Sequence, residues 1–183
     1  MKKIAILFLI AFCGFLTACS NHTEQGKSSA NPAMAQNKVN FTLPASQKWV
    51  LVNVEQDANG YAKSYRSGRA KGLSADQSFY INYGRNIKTP LAQSMHEVVD
   101  SLASTGCKKT GSKIVKSNEN MLVFIAKADR CPTGRPVFQV FKVFNMVDGQ
   151  YSIVYSANPK AVSNKTRQQM ENVVTTATVS PMR

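Results

Sequence analysis

The chain has 183 residues, which leaves room for one domain once targeting segments are set aside. Hydrophobic residues make up 43% and charged residues 18%, which suits an ordinary soluble core. Lysine and arginine number 23 against 10 acidic residues, a net charge of +13. Such a balance favours anionic neighbours and carries no information about the fold.

The first 18 residues are predicted to be an export signal. Lys2 and Lys3 give a short cationic start, and the stretch 4–16 contains no charged residue. This stretch has the length of a signal-peptide hydrophobic segment, and it is shorter than the about 20 apolar residues that a membrane span needs.

The end of this stretch resembles the lipobox of bacterial lipoproteins. The motif is Leu16-Thr17-Ala18-Cys19. The resemblance implies that the Cys19 thiol receives a diacylglycerol and that the signal is cut just before it. Two fatty chains would then anchor the protein stably. The alternatives are an ordinary secretory signal with a chance cysteine, or a stalled membrane anchor.

The resemblance also implies an address in the cell envelope. Ser20, rather than Asp, follows the cysteine, which in lipoproteins of Gram-negative bacteria favours the outer membrane. We therefore expect a lipid anchor in the outer membrane and a domain that faces the periplasm. Residues 19–38 are polar and without apolar periodicity, so they are predicted to be a flexible tether to a single domain at 39–183.

The four cysteines fit this account. Cys13 leaves with the signal and Cys19 carries lipid, so Cys107 and Cys131 remain as a pair in an oxidising compartment. A disulfide between them would close a loop worth roughly 3 kcal/mol of stability. Two free thiols or a metal pair are the alternatives, although neither cysteine lies in a C-x-x-C motif or near a histidine.

Hydrophobic periodicity predicts eight strands and two helices in the order ββββ-α-ββββ-α. Because short hairpin connections dominate, the sheet should be mainly antiparallel, with helices covering it in an α+β fold. The predicted strands cover 39–43, 49–54, 61–66, 78–83, 113–117, 121–128, 137–146 and 151–156, and the predicted helices cover 90–105 and 164–177.

Several residues mark the ends of these elements. The run 57–60 and the pair Asp148-Gly149 are typical of hairpin turns. Pro90 suits the first turn of a helix, Gly106 its end, and Ser163 the N-cap of the second helix.

The layout over residues 39–179 resembles the PsbP-like and DcrB-like family, which includes many small envelope lipoproteins. The resemblance implies a central antiparallel sheet sandwiched by helices, an α/β/α architecture, and a binding or scaffold role without a shared reaction. It rests on Phe41-Thr42-Leu43-Pro44 followed by Trp49, the helix after Tyr83, the hairpin Asp148-Gly149-Gln150-Tyr151, and the closing amphipathic helix.

Catalytic templates are absent from the sequence, which has no G-x-S-x-G, S-x-x-K, H-E-x-x-H or G-x-G-x-x-G motif. His22 lies in the predicted tether. His96 is next to Glu97 and one helical turn from Asp100, a spacing that could bind a metal or supply a base. The simpler interpretation is a surface histidine, so we predict no catalytic residues, metal or cofactor.

Basic residues interleaved with aromatics predict an anion-binding surface. In the periplasm, lipid headgroups, lipopolysaccharide phosphates or acidic proteins are the expected counterparts, and nucleic acid is not. The alternative is a solvated, lysine-rich surface. The candidates are Lys63, Arg66, Arg69, Lys71, Arg85 and Lys88, and further basic groups lie at Lys108, Lys109, Lys113 and Lys116 and at Lys127, Arg130 and Arg135.

The sequence thus favours a non-catalytic outer-membrane lipoprotein that acts as a binding or scaffold component, for instance within a secretion or envelope-maintenance complex. Two other functions remain open. One is a small-ligand carrier with a pocket lined by Phe138, Phe141 or Phe144. The other is a cell-wall hydrolase that uses His96 and Asp100.

Overall fold

The computed structural model describes residues 38–67 and 76–180. All of them belong to one compact unit, Ala35–Arg183. The predicted signal, the lipobox with Cys19, the tether up to residue 37, and the anion-binding candidates Arg69 and Lys71 lie outside the described residues.

The described residues form nine strands and two helices, arranged along the chain as ββββ-α-ββββ-α-β. The elements are β1 (Lys38–Asn40), β2 (Trp49–Asp57), β3 (Gly60–Ser67), β4 (Gln77–Arg85), α1 (Leu91–Ser104), β5 (Lys109–Asn118), β6 (Met121–Asp129), β7 (Val137–Met146), β8 (Gly149–Ala157), α2 (Asn164–Thr176) and β9 (Thr178–Ser180).

Seven of these strands form one sheet in the order β2-β3-β4-β8-β7-β6-β5. Every neighbouring pair is antiparallel. Hairpins join β2 to β3, β5 to β6 and β7 to β8, while the pairing of β4 with β8 unites the two halves of the chain. The predicted α+β fold with a mainly antiparallel sheet is therefore confirmed.

The two helices pack on opposite faces of this sheet. Strand β6 shows the alternation, because Leu122 and Phe124 belong to the apolar cluster under α1, whereas Met121 and Val123 belong to the cluster under α2. Helix α1 lies over β5, β6 and β7, and helix α2 lies over β7 and β8. We call the two sides the α1 face and the α2 face.

Most of the core lies on the α2 face. Tyr151, Tyr155 and Phe79 are fully buried there, together with Met170 and Val174 of α2. On the α1 face, the Phe124 and Phe141 rings stack with their centroids 4.8 Å apart. The apolar stripe predicted for the second helix is thus the one that it buries.

The predicted turns have the expected chemistry. The Asp57 carboxylate accepts hydrogen bonds from the amides of Asn59 (2.7 Å) and Gly60 (3.0 Å). Residue 60 must be glycine because a Cβ there would lie 1.9 Å from the Tyr83 carbonyl oxygen. Gly149 is under the same constraint, with a Cβ position 2.2 Å from the Gly84 oxygen.

The helix ends also follow the sequence signals. The Ser163 Oγ accepts a hydrogen bond from the Thr166 amide at 3.1 Å and so caps α2. Gly106 follows the end of α1 with a φ of +84°. Pro90 differs slightly from expectation, since it is the N-cap of α1 and not a first-turn residue.

The predicted disulfide is present. The sulfur atoms of Cys107 and Cys131 lie 2.10 Å apart, at bonding distance. Cys107 directly follows the Gly106 turn after α1, and Cys131 lies in the connection between β6 and β7. The bond therefore joins the end of α1 to the end of the β5–β6 hairpin that is opposite its turn.

The structure differs from the predicted strands at β1 and β5, and it adds the short strand β9. The first strand was predicted at 39–43, but β1 covers Lys38–Asn40 and pairs with β9, outside the main sheet. No strand was predicted at 178–180, since three residues are too few to show periodicity. Strand β5 begins at Lys109 rather than at residue 113, because β6 supplies partners for residues of low strand propensity such as Gly111.

Candidate interaction surfaces

Strand β2 is an exposed, apolar edge of the main sheet. Its only strand neighbour among the described residues is β3. The outer side of an edge strand presents backbone N–H and C=O groups without a strand partner. Four of its aliphatic side chains are exposed to a similar extent: Val50 (48%), Leu51 (48%), Val52 (44%) and Val54 (50%).

These side chains lie on both faces of the sheet. Val50 pairs with Arg66 on the α1 face, and Val54 pairs with Lys63 on the α2 face. The register shifts between Leu51 and Asn53, so Val52 has no partner on β3. The bulge leaves Val52 as an extra residue on the outermost strand.

The start of β2 is fixed in the core. The Trp49 ring packs edge-to-face against Phe79 with centroids 6.4 Å apart. A buried polar chain lies beside it, in which the Tyr155 hydroxyl donates to Gln77 (2.8 Å) and the Gln77 amide donates to Gln47 (2.6 Å). Burial raises the pKa of Tyr155, so this hydroxyl stays a donor at neutral pH. The exposed part of β2 therefore extends from an anchored end.

The opposite edge of the sheet, β5, has a different surface. Ile114 (50%) and Val115 (39%) are exposed, but Lys109, Lys113 and Lys116 are interspersed with them. Lysines on an edge strand oppose pairing with another strand. Strand β2 contains no lysine or arginine, so only one of the two edges is protected in this way.

A polar half of the α1 face adjoins β2. Helix α1 covers β5 to β7, and the rest of this face carries half-buried Ser64, Tyr80, Asn82 and Ser152. The Asn82 amide donates a hydrogen bond to the Ser152 hydroxyl at 3.3 Å. This surface is flat and polar and continues the exposed strip of β2.

The described anion-binding candidates do not form one surface. Lys63 faces the α2 side, with its Nζ 5.4 Å from the Tyr61 ring centroid, whereas Arg66 faces the α1 side. Arg85 is exposed at the end of β4, and Lys88 is exposed in the connection to α1. These residues are close in sequence because they lie on or beside β3 and β4. Side chains alternate between the two faces along a strand, so closeness in sequence does not place them on one surface.

A different group of cations does share one face. Lys113, Lys116 and Lys127 are exposed on the α2 face, at the edge formed by β5 and β6. Beside them, two cations lie over the Phe138 ring. The Lys127 Nζ is 5.8 Å and the Arg167 Cζ is 5.4 Å from the ring centroid. The sequence showed Lys113, Lys116 and Lys127 as members of two separate basic groups, and only the strand pairing unites them.

Lys142 is the one lysine of the described residues that is buried, with 5% of its surface exposed. Its ammonium donates to the carbonyl oxygens of Thr175 (2.5 Å) and Ala177 (2.7 Å) at the C-terminal end of α2. Burial, and secondarily the charge of Lys116, lower the pKa of Lys142. This residue serves the fold, since it fixes the end of α2 to β7.

The histidine candidate lies in an ordinary surface setting. His96 and Asp100 are exposed on α1, and the Gln93 amide donates to Glu97 at 2.8 Å. Within 38–67 and 76–180, no three His, Cys, Asp or Glu side chains are grouped as metal ligands would be. The helices in the same ranges are all too short or too polar to cross a bilayer.

The three phenylalanines considered for a ligand pocket do not share one. Phe138 and Phe144 belong to the α2 side of β7, whereas Phe141 belongs to the α1 side. A groove of about 670 Å³ lies elsewhere, between the β1 segment and the C-terminal half of α2, and Val39 and Val173 are among its lining residues.

The most informative feature of the surface, the exposed edge at β2, could not be found by sequence reasoning. The run WVLVNV has the composition of a buried strand. Whether such a strand lies at the centre or the edge depends on pairing over long sequence distances. Comparison of the chain with protein-family models finds no match, and comparison with curated proteins finds none either.

Proposed function

We propose that this protein is a non-catalytic, lipid-anchored component of the bacterial outer membrane that binds an extended segment of another envelope protein along β2. The observation that carries the proposal is the β2 edge, whose aliphatic side chains at 50, 51, 52 and 54 are about half exposed. A role within a secretion or envelope-maintenance complex is the specific form of this function.

Addition of a strand to a sheet edge explains why such a surface is useful. The backbone of β2 supplies hydrogen bonds along nine residues, about 30 Å, and the alternating side chains supply specificity. Val50 on one face and Val54 on the other would each contact alternate side chains of the added strand. Residues 50–54 of this edge carry no charged side chain, and an exposed apolar segment of this kind favours pairing with another strand.

The lipobox at Cys19 supports the location, because a thioether-linked diacylglycerol would hold the domain beside the bilayer. The joined Cys107 and Cys131 accord with an oxidising compartment. Helices on opposite faces of one antiparallel sheet support, in addition, the resemblance to PsbP-like proteins. Fold alone identifies no partner, so the function rests on the edge.

Site-specific photocrosslinking in intact cells tests the proposal. A photoreactive amino acid at Val52 or Val54 should give one defined adduct with another envelope protein. The matched control is Val147, which is 95% exposed in the turn between β7 and β8. It should not give the same adduct. Absence of adducts from both β2 positions, or an identical adduct from Val147, would refute binding at this edge.

A second test of the proposal places a positive charge on the β2 edge. In a chain that carries the photoreactive residue at Val54, Val52→Lys should abolish the adduct, because a lysine on the edge opposes strand addition. Val52 has no partner on β3, so the substitution should change the melting temperature little. Val147→Lys is the control and should keep the adduct. An adduct that survives Val52→Lys at full yield contradicts the proposal.

A further inference from the structure

Three lysines lie together on one face of the sheet edge opposite β2. Lys113 and Lys116 belong to β5 and Lys127 to β6, and all three are exposed. Lys113 pairs with Ile125, two residues from Lys127. Diagonal neighbours of this kind lie about 7–8 Å apart. We call Lys113, Lys116 and Lys127 the lysine face.

The space between these side chains is open. The residue that pairs with Lys127 is Gly111, which has no side chain, and a Cβ built there would meet no atom within 4 Å. Lys127 and Arg167 both contact the Phe138 ring, so positive charge continues from the lysine face to α2. The result is an exposed basic surface with open space above Gly111, beside Lys127.

No acidic side chain of the described residues neutralises the charge of the lysine face. Within 38–67 and 76–180, no carboxylate oxygen lies within 4.0 Å of the ammonium groups of Lys113, Lys116 or Lys127. On β6, the acidic residue nearest to Lys127 in sequence is Asp129, whose cross-strand neighbour on β5 is Lys109. The charge of Lys116 also contributes to the lowered pKa of Lys142. Among the described residues, the ammonium groups of the lysine face thus have no carboxylate partner, and an external anion would supply one.

Protection of the edge against strand addition does not account for this arrangement. Lysines on either face of β5 would serve that purpose. Instead, Lys109, Lys113 and Lys116 all occupy α2-face positions, because the bulge between Ile114 and Lys116 shifts Lys116 onto the same face. Without that shift, positions 113 and 116 would face opposite sides.

We propose that the lysine face binds the phosphate groups of an anionic bilayer. A bilayer presents many phosphates in one plane, which matches several ammonium groups on one flat face. Each lysine near such a surface strengthens binding about fivefold. This contact leaves β2, at the opposite edge of the sheet, available to a protein partner. It does not rest on the edge-binding function.

Lysine footprinting on the full-length protein tests the proposal. The protein is mixed with preformed vesicles of phosphatidylglycerol or of phosphatidylcholine, and exposed amines are acetylated and quantified residue by residue. Labelling of Lys113, Lys116 and Lys127 should fall on the anionic vesicles only. It should recover at about 1 M salt, where the Debye length is about 3 Å. The exposed control residues Lys48 and Lys88 should label equally on both.

Matched variants isolate the residues responsible. In Lys113→Gln/Lys116→Gln/Lys127→Gln, the remaining Lys109 should lose its protection on anionic vesicles. In Lys48→Gln/Arg66→Gln/Lys88→Gln, which removes the same charge elsewhere, Lys109 should stay protected. All six residues are exposed, so both variants should fold.

Three outcomes would overturn the proposal. One is equal labelling of the lysine face on both kinds of vesicle, and another is equal protection of Lys48 and Lys88. The third is full protection by millimolar inorganic phosphate without vesicles, which would identify free phosphate as the ligand. Photocrosslinking at β2 measures a different surface, so failure here leaves the proposed function unaffected.

Discussion

Lys142 makes a contact with the end of α2 that its local sequence does not predict. It stands within the apolar run VFKVF on β7, where alternation places it on the face that α2 covers. Its ammonium replaces the missing partners of two carbonyl groups at the end of α2. Because Thr175 is 33 residues away along the chain, no local pattern predicts this pairing.

Replacing Lys142 with Met should lower the free energy of unfolding by roughly 1–3 kcal/mol. The substitution keeps an unbranched side chain, one atom shorter, but leaves two carbonyl oxygens at the helix end without their donor. Urea unfolding measures the change, with an unaltered m-value as the sign of an intact native state. Lys165→Met, at an exposed position on α2, is the control and should stay within about 0.5 kcal/mol of the parent. Equal stability of both variants would contradict the capping role.

Residue-scale predictions from sequence held where the interaction is local. Ser163 caps a helix that begins at the next residue, and Asp57 binds amides two and three residues ahead. The pairing of Cys107 with Cys131 followed from the count of available cysteines, not from geometry. Among the anion-binding candidates, Lys63 and Arg66 lie on opposite faces because side chains alternate along β3, and sequence proximity does not show which residues share a face.

At the scale of elements, periodicity located every strand of the main sheet and both helices, because each buries a recurring apolar side. Periodicity does not predict the order of the strands in the sheet. The pairing of β4 with β8 joins residues about 70 positions apart, and it is this pairing that places β2 and β5 at the edges. Both surfaces proposed above therefore depend on topology.

Breaking the disulfide with Cys107→Ser/Cys131→Ser should lower the melting temperature of the full-length protein by about 10 °C. The crosslink spans a sequence separation of 24 residues, for which the chain-entropy model gives roughly 3 kcal/mol, or about 3 °C per kcal/mol for a domain of this size. The loss should be the same when the parent protein is reduced, and the double variant should not respond to reductant. A melting temperature unchanged by either treatment would show that the bond contributes no stability.

At the scale of the whole molecule, the two proposed contacts lie on opposite edges of one rigid sheet. Binding of phosphate groups by the lysine face would leave β2, at the other edge, free to meet an extended segment of a partner. The seven-stranded sheet is about 30 Å from β2 to β5, given the usual spacing between strands. The arrangement requires that the domain be exported and held near a membrane, which is the role proposed for Cys19.

Replacement of Cys19 by Ser should abolish metabolic labelling with fatty acid and leave the precursor uncut, because the thioether sulfur is the attachment point. Cys13→Ser is the matched control. It removes a cysteine within the apolar stretch 4–16 and should leave labelling and cleavage intact. Labelling that persists in Cys19→Ser would refute Cys19 as the attachment point. Absence of labelling from the parent protein would remove the anchor and, with it, one reason to expect a membrane beside the domain. Edge binding at β2 could then still be correct, but its partner would have to be sought in whichever compartment holds the free protein.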